Sequence, residues 1–474
     1  MQRLSPLDAS FLHLERDVQQ LNVGSALVFE GPAPTHAEVC RAIEALLPQF
    51  PRYRQHVRSV PLGLALPIWV DDAQFRLHDH IGHRRLRPPG TDDALRRMAV
   101  RLISQPLDLH RPLWHSWLVT GLRDGRFALV NTNHHAMIDG ISGSDIISVL
   151  LSPTRSRKTS GDAPEASAPP WSPAPEPTDA RLALEAVVEL ASSPVRAVDR
   201  LARALRPQAL PTSVAEVVGM AHLGEQLAHL ELGLNGPIGP RRDWRWVRAD
   251  LDAVKAVKNR HGGTVNDVVL AAVAGGFRSL LLSRGQAVDG RSLRTMVPVS
   301  TRHTDEHGTL GNRVSAVFAD LPIGLADPLD RLHAITTQLD ALKHSGTALG
   351  ADALLGAADL LPGSLLALGV KTWAHSPQRT FSTVTTNVPG PRTPLYLLGR
   401  RMTDLYPYIP LGAELRVTIG IASYAGGLAW GVTGDRDSVP DLEVLSDGIE
   451  QSITELVSLT PPANRSEARH ARNS

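Results

Sequence analysis

The chain has 474 residues, and at about 150 residues per domain this length predicts two or three domains, each able to bury a core without a disulfide or a metal. Lys and Arg number 49 and Asp and Glu 48, so the net charge of +1 excludes a strongly basic nucleic-acid binder and an acidic solvating protein. The single cysteine, Cys40, excludes an internal disulfide and predicts a reducing compartment.

The first predicted unit, residues 1–151, mixes helical and strand periods. Apolar residues at helical spacing predict helices at 38–47, with Thr35 as the N-cap, at 93–103 and at 141–151. Alternating apolar residues predict a strand at 126–133.

The composition changes after this unit. Residues 152–178 include seven prolines and five serines. A segment of this composition cannot bury enough apolar surface to fold on its own. We therefore predict a flexible linker over 152–180, followed by a helical connecting segment over 181–243. Within it, residues 195–206 carry four apolar side chains on one helical face among four arginines. This pattern fits a helix on a membrane surface, but an ordinary helix packed on a core is favoured.

The third predicted unit, residues 244–460, alternates helices and strands, so both halves have the α+β pattern. Helices are predicted at 251–260, 264–282 and 440–457, strands at 295–299 and 314–321, and a hairpin of 415–421 with 428–432 around Gly426 and Gly427. The polar tail 461–474 is predicted to be disordered. No uncharged apolar run reaches the roughly 18 residues of a membrane span.

Two adjacent histidines lie where the strand predicted at 126–133 gives way to a helix. His134 and His135 in an extended chain point to opposite faces, so one can face a cavity while the other packs inward. Asp139 follows four residues after His135, and Gly140 gives the backbone freedom near a helix start. A neutral imidazole can take a proton from an alcohol near pH 7. A satisfied core histidine is an equally favoured interpretation.

Signatures of other chemistries are missing from the sequence. It contains no Gly-x-Ser-x-Gly nucleophile elbow, no Walker-type phosphate loop and no Gly-x-Gly-x-x-Gly fingerprint, and Cys40 falls in a predicted buried helix. His78, His80 and His83 are interpreted as incidental histidines of a surface strand. No metal site is predicted.

Residues 134–140 match the His-His-x-x-x-Asp-Gly motif of coenzyme A-dependent acyltransferases, which condensation domains of peptide synthetases share. Further stretches narrow the resemblance: Leu-Ser-Pro-Leu-Asp-Ala at 4–9, Pro-Leu-Trp at 112–114, Asn-Asp at 266–267, Val-Pro-Val-Ser at 297–300 and Asn-Val-Pro-Gly-Pro at 387–391. In this order, and nearly end to end, they resemble the bacterial wax ester synthase/diacylglycerol acyltransferase (WS/DGAT) family. The Pro-rich linker and the arginine-rich helix after it depart from that resemblance.

This resemblance implies an α/β sandwich of two chloramphenicol acetyltransferase-like domains, 1–151 and 244–460, with an active-site tunnel between them. It implies transfer of a long-chain acyl group from acyl-CoA to the hydroxyl of diacylglycerol or of a long-chain alcohol. The alternatives are another CoA- or carrier-dependent acyltransferase with a small polar acceptor, and a catalytically inactive lipid-binding protein.

The resemblance also implies roles for the motif residues. His135 is the expected general base, and His134 is expected to pack inward. Asp139 is assigned to holding the loop and the imidazole, with Arg302 as its partner and Gly140 in support. Asn266 is assigned either to a helix cap or, preferably, to the substrate side, and the oxyanion donor stays open among Thr385, Thr386 and a backbone N–H near Gly140.

The expected partners follow from this chemistry. Acyl-CoA is expected as a substrate, with no other cofactor, and the acceptor is a lipid rather than a nucleic acid. We expect a cytoplasmic protein that attaches peripherally to the inner face of the membrane or to lipid droplets.

Overall fold

The computed structural model describes residues 2–15, 18–137, 146–155, 171–188, 232–300, 314–344, 380–412 and 414–460. Two six-stranded mixed sheets, each with helices packed against it, form the two halves of this part of the chain. The predicted α+β class is therefore confirmed.

The first half begins with short elements and continues with its main sheet strands. Its elements are β1 (Gln2–Arg3), α1 (Pro6–Leu14), β2 (Asn22–Phe29), α2 (His36–Glu44), β3 (Gln55–Arg58), β4 (Ile68–Asp71), β5 (Ile81–Arg85), α3 (Asp92–Ile103), β6 (Trp114–Thr120), β7 (Phe127–His134) and α4 (Ile146–Leu150).

The second half contains β8 (Arg242–Asp250), α5 (Leu251–His261), α6 (Val265–Ser283), β9 (Leu293–Ser300), β10 (Val314–Leu321), α7 (Pro328–His344), β11 (Thr383–Val388), β12 (Tyr396–Leu397), β13 (Arg400–Tyr408), β14 (Val417–Tyr424), β15 (Gly427–Asp435) and α8 (Leu442–Ser458). Its sheet has the order β10-β9-β11-β14-β15-β8. The sheet of the first half has the order β12-β13-β2-β7-β6-β5, and a small third sheet has the order β1-β4-β3.

Local capping explains where two of the predicted helices begin. Thr35 accepts a hydrogen bond from the backbone N–H of Glu38, whose carboxylate accepts one from the N–H of Thr35, so α2 starts with a capping box. Thr264 and Asp267 form the same arrangement at the start of α6. The predicted N-cap Thr35 and the two helices are confirmed.

The predicted hairpin near the end of the chain is also present, with its turn displaced by one residue. Ala425 (φ 46°) and Gly426 (φ 90°) are the two turn residues, and Gly427 already pairs with Tyr424 as the first residue of β15. Positive φ at both turn positions matches the right-handed twist of the strands that the turn joins.

The core of the second half surrounds one apolar helix. Among the described residues, α6 alone is long and apolar enough to cross a membrane, although it carries Asp267 and Arg278. Of its most apolar 18-residue window, 72% is buried inside the protein. The helix packs against α8, α7 and the sheet, which is how the central helix of a protein core behaves.

One strand pair crosses from the second half to the first. β13 pairs antiparallel with β2, although its residues fall within the unit predicted at 244–460. It passes over the second sheet at Gly431, where a Cβ atom would lie 1.7 Å from the carbonyl oxygen of Pro407. Gly420, the cross-strand neighbour of Gly431, is similarly covered by Ile409. Glycine at both positions permits the two halves to pack this closely.

The last part of the predicted flexible linker makes specific contacts in the structure. The guanidinium of Arg54 stacks 3.8 Å over the ring of Trp171, and Arg58 pairs with Glu176 at 3.0 Å and with Asp179 at 2.6 Å. A helix at 179–188 then buries Leu182 and Ala186 against the small sheet. Residues 171–180 are therefore bound to the first half and are not part of a flexible linker, which was predicted for 152–180. The reason is that one indole and two carboxylates of this segment contact arginines of the first half.

Three other predicted segments lie outside the described residues. These are the middle of the linker at 156–170, the arginine-rich helix at 195–206 and the tail at 461–474.

Candidate active site

The two histidines of the motif lie at the end of β7, in the middle of the first sheet. β7 runs between β2 and β6, and all eight of its residues are buried. The backbone N–H of His134 donates to the carbonyl of Leu113 and that of His135 to the carbonyl of Leu21, each at 2.9 Å. The sheet therefore fixes the backbone of both histidines, while the chain leaves the strand in a turn.

His134 is fully buried and faces inward, as predicted. Its Nδ1 atom accepts a hydrogen bond from the backbone N–H of Ala136 at 3.0 Å, so the proton of the neutral ring is on Nε2. Nε2 makes no hydrogen bond within the described residues, but it lies at ion-pair distance, 3.4 Å, from the Oε2 atom of Glu15 at the end of α1. The first histidine of the motif is thus held between the turn that follows it and a carboxylate.

His135 is partly buried, and its ring stacks on Phe11 of α1 with the centroids 3.9 Å apart. Its Nδ1 atom is buried and has no hydrogen-bond partner within the described part of the chain. Burial is the main cause that lowers the pKa of His135 from 6.5 to about 4, and the neighbouring His134 contributes a smaller part of this decrease. The imidazole is therefore neutral near pH 7, as a proton acceptor must be.

An apolar cluster below the histidines joins α1 to the motif. Its buried members are Leu4, Ala9, Val57, Trp69, Leu107, Leu113 and Ala136, and Phe11 and Met137 pack against it. Ser5 caps α1 by accepting a hydrogen bond from the N–H of Asp8 at 3.0 Å. The stretches 4–9 and 112–114, which carry part of the resemblance to WS/DGAT proteins, therefore contribute side chains to the apolar cluster next to the histidines.

Asn266 lies in the second half, at the start of α6. Its Oδ1 atom accepts a hydrogen bond of 3.5 Å from the side-chain amide of Asn387, at the end of β11. Thr264 is the N-cap, so the helix-cap role for Asn266 is wrong: the capping oxygen comes from two residues earlier. No hydrogen bond among the described residues joins this asparagine pair to either histidine.

The two candidate threonines of β11 point to opposite faces of the second sheet. Thr385 is buried, and its hydroxyl is 2.9 Å from that of Thr295. It shares its face with Ile419, which lies in the core below the helices. Thr386 instead shares its face with Gly420, on the side where Ile409 covers the sheet toward the first half.

Three further predicted site residues, Asp139, Gly140 and Arg302, lie outside the described residues. Cys40 is buried in α2, as predicted. The surface-strand interpretation is wrong for His80, which is 3% exposed and has Nδ1 2.8 Å from the carbonyl oxygen of Trp114. It is also wrong for His78, which lies in a short 3-10 helix, whereas His83 does lie exposed on β5. The described residues contain no group of three or more His, Cys, Asp or Glu side chains suited to a metal ion.

The sequence interpretation missed Glu15, Phe11 and the carbonyl of Leu21. All three come from the first elements of the chain, far in sequence from the histidines that they contact. An acid directly after the apolar helix α1 is a weak signal, and no residue spacing links it to β7.

Comparison with known proteins decides the family. The model of the wax ester synthase/diacylglycerol acyltransferase catalytic domain matches residues 4–269, and that of the WS/DGAT C-terminal domain matches residues 310–457. The chain belongs to the WS/DGAT family. The resemblance found in the sequence is thereby confirmed, and the chain is an acyltransferase of this family.

Several mycobacterial WS/DGAT relatives match along nearly the whole chain. A probable diacylglycerol O-acyltransferase of Mycobacterium tuberculosis is 33% identical over 472 residues, which cover 97% of this chain and 96% of that protein. A second one from the same species is 32% identical over 470 residues, which cover 96% of this chain and 99% of that protein.

Solved structures share the fold. The wax ester synthase/diacylglycerol acyltransferase from Marinobacter aquaeolei VT8 is 24% identical with a TM-score of 0.67, over 97% of this chain and 100% of that chain. The first condensation domain of the calcium-dependent antibiotic synthetase is 17% identical with a TM-score of 0.60, over 98% of this chain and 97% of that chain. At these identities the likeness shows the fold, which WS/DGAT proteins share with condensation domains.

Proposed function

We propose that this enzyme transfers a long-chain fatty acyl group from acyl-CoA to the hydroxyl of diacylglycerol, giving triacylglycerol and free CoA. Membership of the WS/DGAT family and the names of the mycobacterial relatives support this acceptor. A long-chain alcohol is the second acceptor that we propose, because the family description and the Marinobacter structure both include wax ester synthase. Acyl-CoA is a substrate, and no other cofactor is proposed.

The observation that carries the proposal is the neutral imidazole of His135, stacked on Phe11 and held by the end of β7. We propose that it removes the proton of the acceptor hydroxyl while that oxygen attacks the thioester carbonyl. The tetrahedral intermediate then expels the CoA thiolate, and the imidazolium returns the proton to that sulfur. General-base assistance of this kind contributes about 10²- to 10⁴-fold to the rate.

The supporting roles are proposals as well. His134 keeps the turn after β7 in place through Ala136 and Glu15. Asp139, with Arg302 as its partner, and Gly140 are proposed to hold the loop that follows.

For the substrate side we propose Asn266, which Asn387 orients. For the oxyanion we propose the hydroxyl of Thr386 or a backbone N–H near Gly140, because the hydroxyl of Thr385 already has a partner in the core. Both substrates are proposed to meet in a tunnel between the two halves.

We also propose peripheral attachment to the inner face of the membrane or to lipid droplets, where the lipid acceptors are dissolved. Apolar side chains exposed near the small sheet support this: Leu62 is 94% and Leu184 65% exposed. Sedimentation with vesicles tests the attachment, and full recovery in the supernatant at low salt would contradict it.

The test of the reaction is thiol release from palmitoyl-CoA with a diacylglycerol, with hexadecanol or with a small polar alcohol, followed by identification of the product. We expect His135→Ala to lower kcat by about 10²- to 10⁴-fold. His83→Ala, at an exposed histidine of β5 in the same sheet, is the control. Equal release by wild type and His135→Ala would overturn the mechanism. Stimulation by the small polar alcohol alone, or by no acceptor, would overturn the proposed function.

A further inference from the structure

Both histidines rest on one short stretch of chain between α1 and β2, which we call the connector (residues 15–21, of which 15 and 18–21 are described). At one end, the carboxylate of Glu15 faces His134. At the other end, the carbonyl of Leu21 accepts the hydrogen bond from the N–H of His135. The two described ends of the connector therefore each contact one of the two histidines.

The middle of the connector is held by the other half of the protein. Arg242, the first residue of β8, donates a hydrogen bond from Nη2 to the carbonyl of Val18. Its Nη1 donates to the carbonyl of Gly239 at 2.5 Å and lies 3.5 Å from Asp435. Gly412 of the second half lies close to the connector as well, since a Cβ atom added there would be 3.2 Å from the side chain of Leu21.

The charge of Arg242 is costly to bury, since the residue is 8% exposed and desolvation lowers its pKa. Asp435 offsets this cost, and it is itself oriented by the N–H of Gly239 and by the N–H and hydroxyl of Ser438. The guanidinium is thus fixed from within the second half and presents one hydrogen bond across the boundary to the connector.

A second arginine shows what an equally buried guanidinium does without that contact. Arg331 in α7 is 3% exposed and donates to the carbonyls of Leu325 and Ala326 and to the hydroxyl of Ser452. All its partners lie within the second half. Both arginines are therefore buried and donate to backbone carbonyls, but of the two only Arg242 contacts the connector.

We propose that Arg242 is a positioning residue for acyl transfer: by holding the Val18 carbonyl, it makes the placement of His134 and His135 depend on the docking of the second half. The inference rests on the proposed function only in naming the reaction. A misplacement of about 1 Å in a catalytic group can cost about 100-fold in rate, so a single hydrogen bond to the connector is sufficient to matter.

The first test compares Arg242→Met with the control Arg331→Met, each assayed well below its melting temperature and normalised to folded protein. We expect kcat of Arg242→Met to fall about 10- to 100-fold while KM for acyl-CoA changes little. Arg242→Lys, which keeps a donor, is expected to recover part of that loss. Arg331→Met is expected to melt earlier but to keep its kcat.

A second readout does not need the reaction at all. Carbethoxylation of His135 by diethylpyrocarbonate, followed by peptide mass spectrometry, reports how enclosed the ring is. We expect faster modification of His135 in Arg242→Met than in wild type or Arg331→Met. If both arginine variants change this rate equally, or if Arg242→Met lowers only the melting temperature, the inference is wrong. Absence of acyl transfer by the wild type would instead refute the proposed function, and the modification rates would still decide the role of Arg242.

Discussion

The Nε2 atom of His134 lies 3.4 Å from the Oε2 atom of Glu15, and the other ring nitrogen accepts a hydrogen bond from the backbone of Ala136. The inward histidine of the motif therefore links the end of α1 to the turn that carries His135. Because the ring is fully buried, water cannot replace these partners if they are lost.

This contact predicts the effect of Glu15→Gln, which keeps the shape of the side chain and removes its charge. The buried Nε2–H of His134 then faces a neutral amide, and the turn after β7 is held less firmly. We expect kcat for acyl transfer to fall about 10- to 100-fold with KM little changed. Glu30→Gln is the control, because Glu30 directly follows the last residue of β2, at the end of that strand away from the histidines. Equal kcat values for the two variants would contradict the prediction.

The stacking of Phe11 on His135 predicts a change in pH dependence. Phe11→Ala admits water to the imidazole, so the pKa of His135 rises from about 4 toward 6.5. Because the base acts in its neutral form, kcat/KM of the variant is expected to decrease at pH 5.5 relative to pH 8, whereas that of wild type does not. Phe75→Ala removes a ring that stacks on His80 and is the matched control. An unchanged acid limb in Phe11→Ala would contradict the assigned role of the stacking.

The buried histidines predict acid sensitivity of the fold itself. Burial lowers the pKa of His115, as of His135, to about 4, and it lowers that of His80. In the unfolded chain these rings take up protons as the pH falls below about 6.5, whereas the folded protein keeps His115 and His135 neutral until about 4 and holds the pKa of His80 below its ordinary value. The free energy of unfolding is therefore expected to decrease as the pH falls from about 6.5 to about 4.

Urea denaturation across that pH range measures this decrease. His115→Phe removes one titrating ring beside Trp117, so its free energy of unfolding is expected to depend less steeply on pH than that of wild type. Identical slopes for the two proteins would show that His115 does not contribute.

The close crossing of the two halves predicts that Gly431→Ala is severely destabilising. Its Cβ atom would lie 1.7 Å from the Pro407 carbonyl oxygen, which belongs to the backbone of β13 and moves only with the strand. We expect a loss of about 3 kcal/mol or more, in the range of overpacked cores. Gly427→Ala, in the same strand but 3.3 Å from its nearest neighbour, is the control. Similar melting temperatures for both variants would refute the tight crossing.

The sequence predicted those parts of the fold whose determinants lie close together along the chain. The start of α2 is determined by Thr35 and Glu38, which are three residues apart. The hairpin turn is determined by the adjacent residues Ala425 and Gly426. The histidine pair at a strand end was predicted for the same reason, as alternation reveals a strand and adjacent residues point apart.

The parts that the sequence did not predict depend on contacts between distant segments. The pairing of β13 with β2 leaves no periodic signal, because the alternation of apolar and polar residues along a strand is the same whichever sheet the strand joins. The roles of Glu15 and Arg242 likewise emerge only when the connector is seen against β7 and β8. The contacts of Arg54 with Trp171 and of Arg58 with Glu176 could not be predicted either. The Pro-rich composition indicated a flexible linker, whereas these few contacts are enough to place the segment on the first half.

The pairing of β13 with β2 also has a consequence for how the protein is made on the ribosome. At about 5–20 residues per second, the free edge of β2 waits tens of seconds before the strand that covers it has been synthesised. During that interval an unpaired sheet edge is open to other nascent chains. We therefore expect chaperones to bind the nascent chain early in translation, and the first half to associate with itself when it is expressed alone.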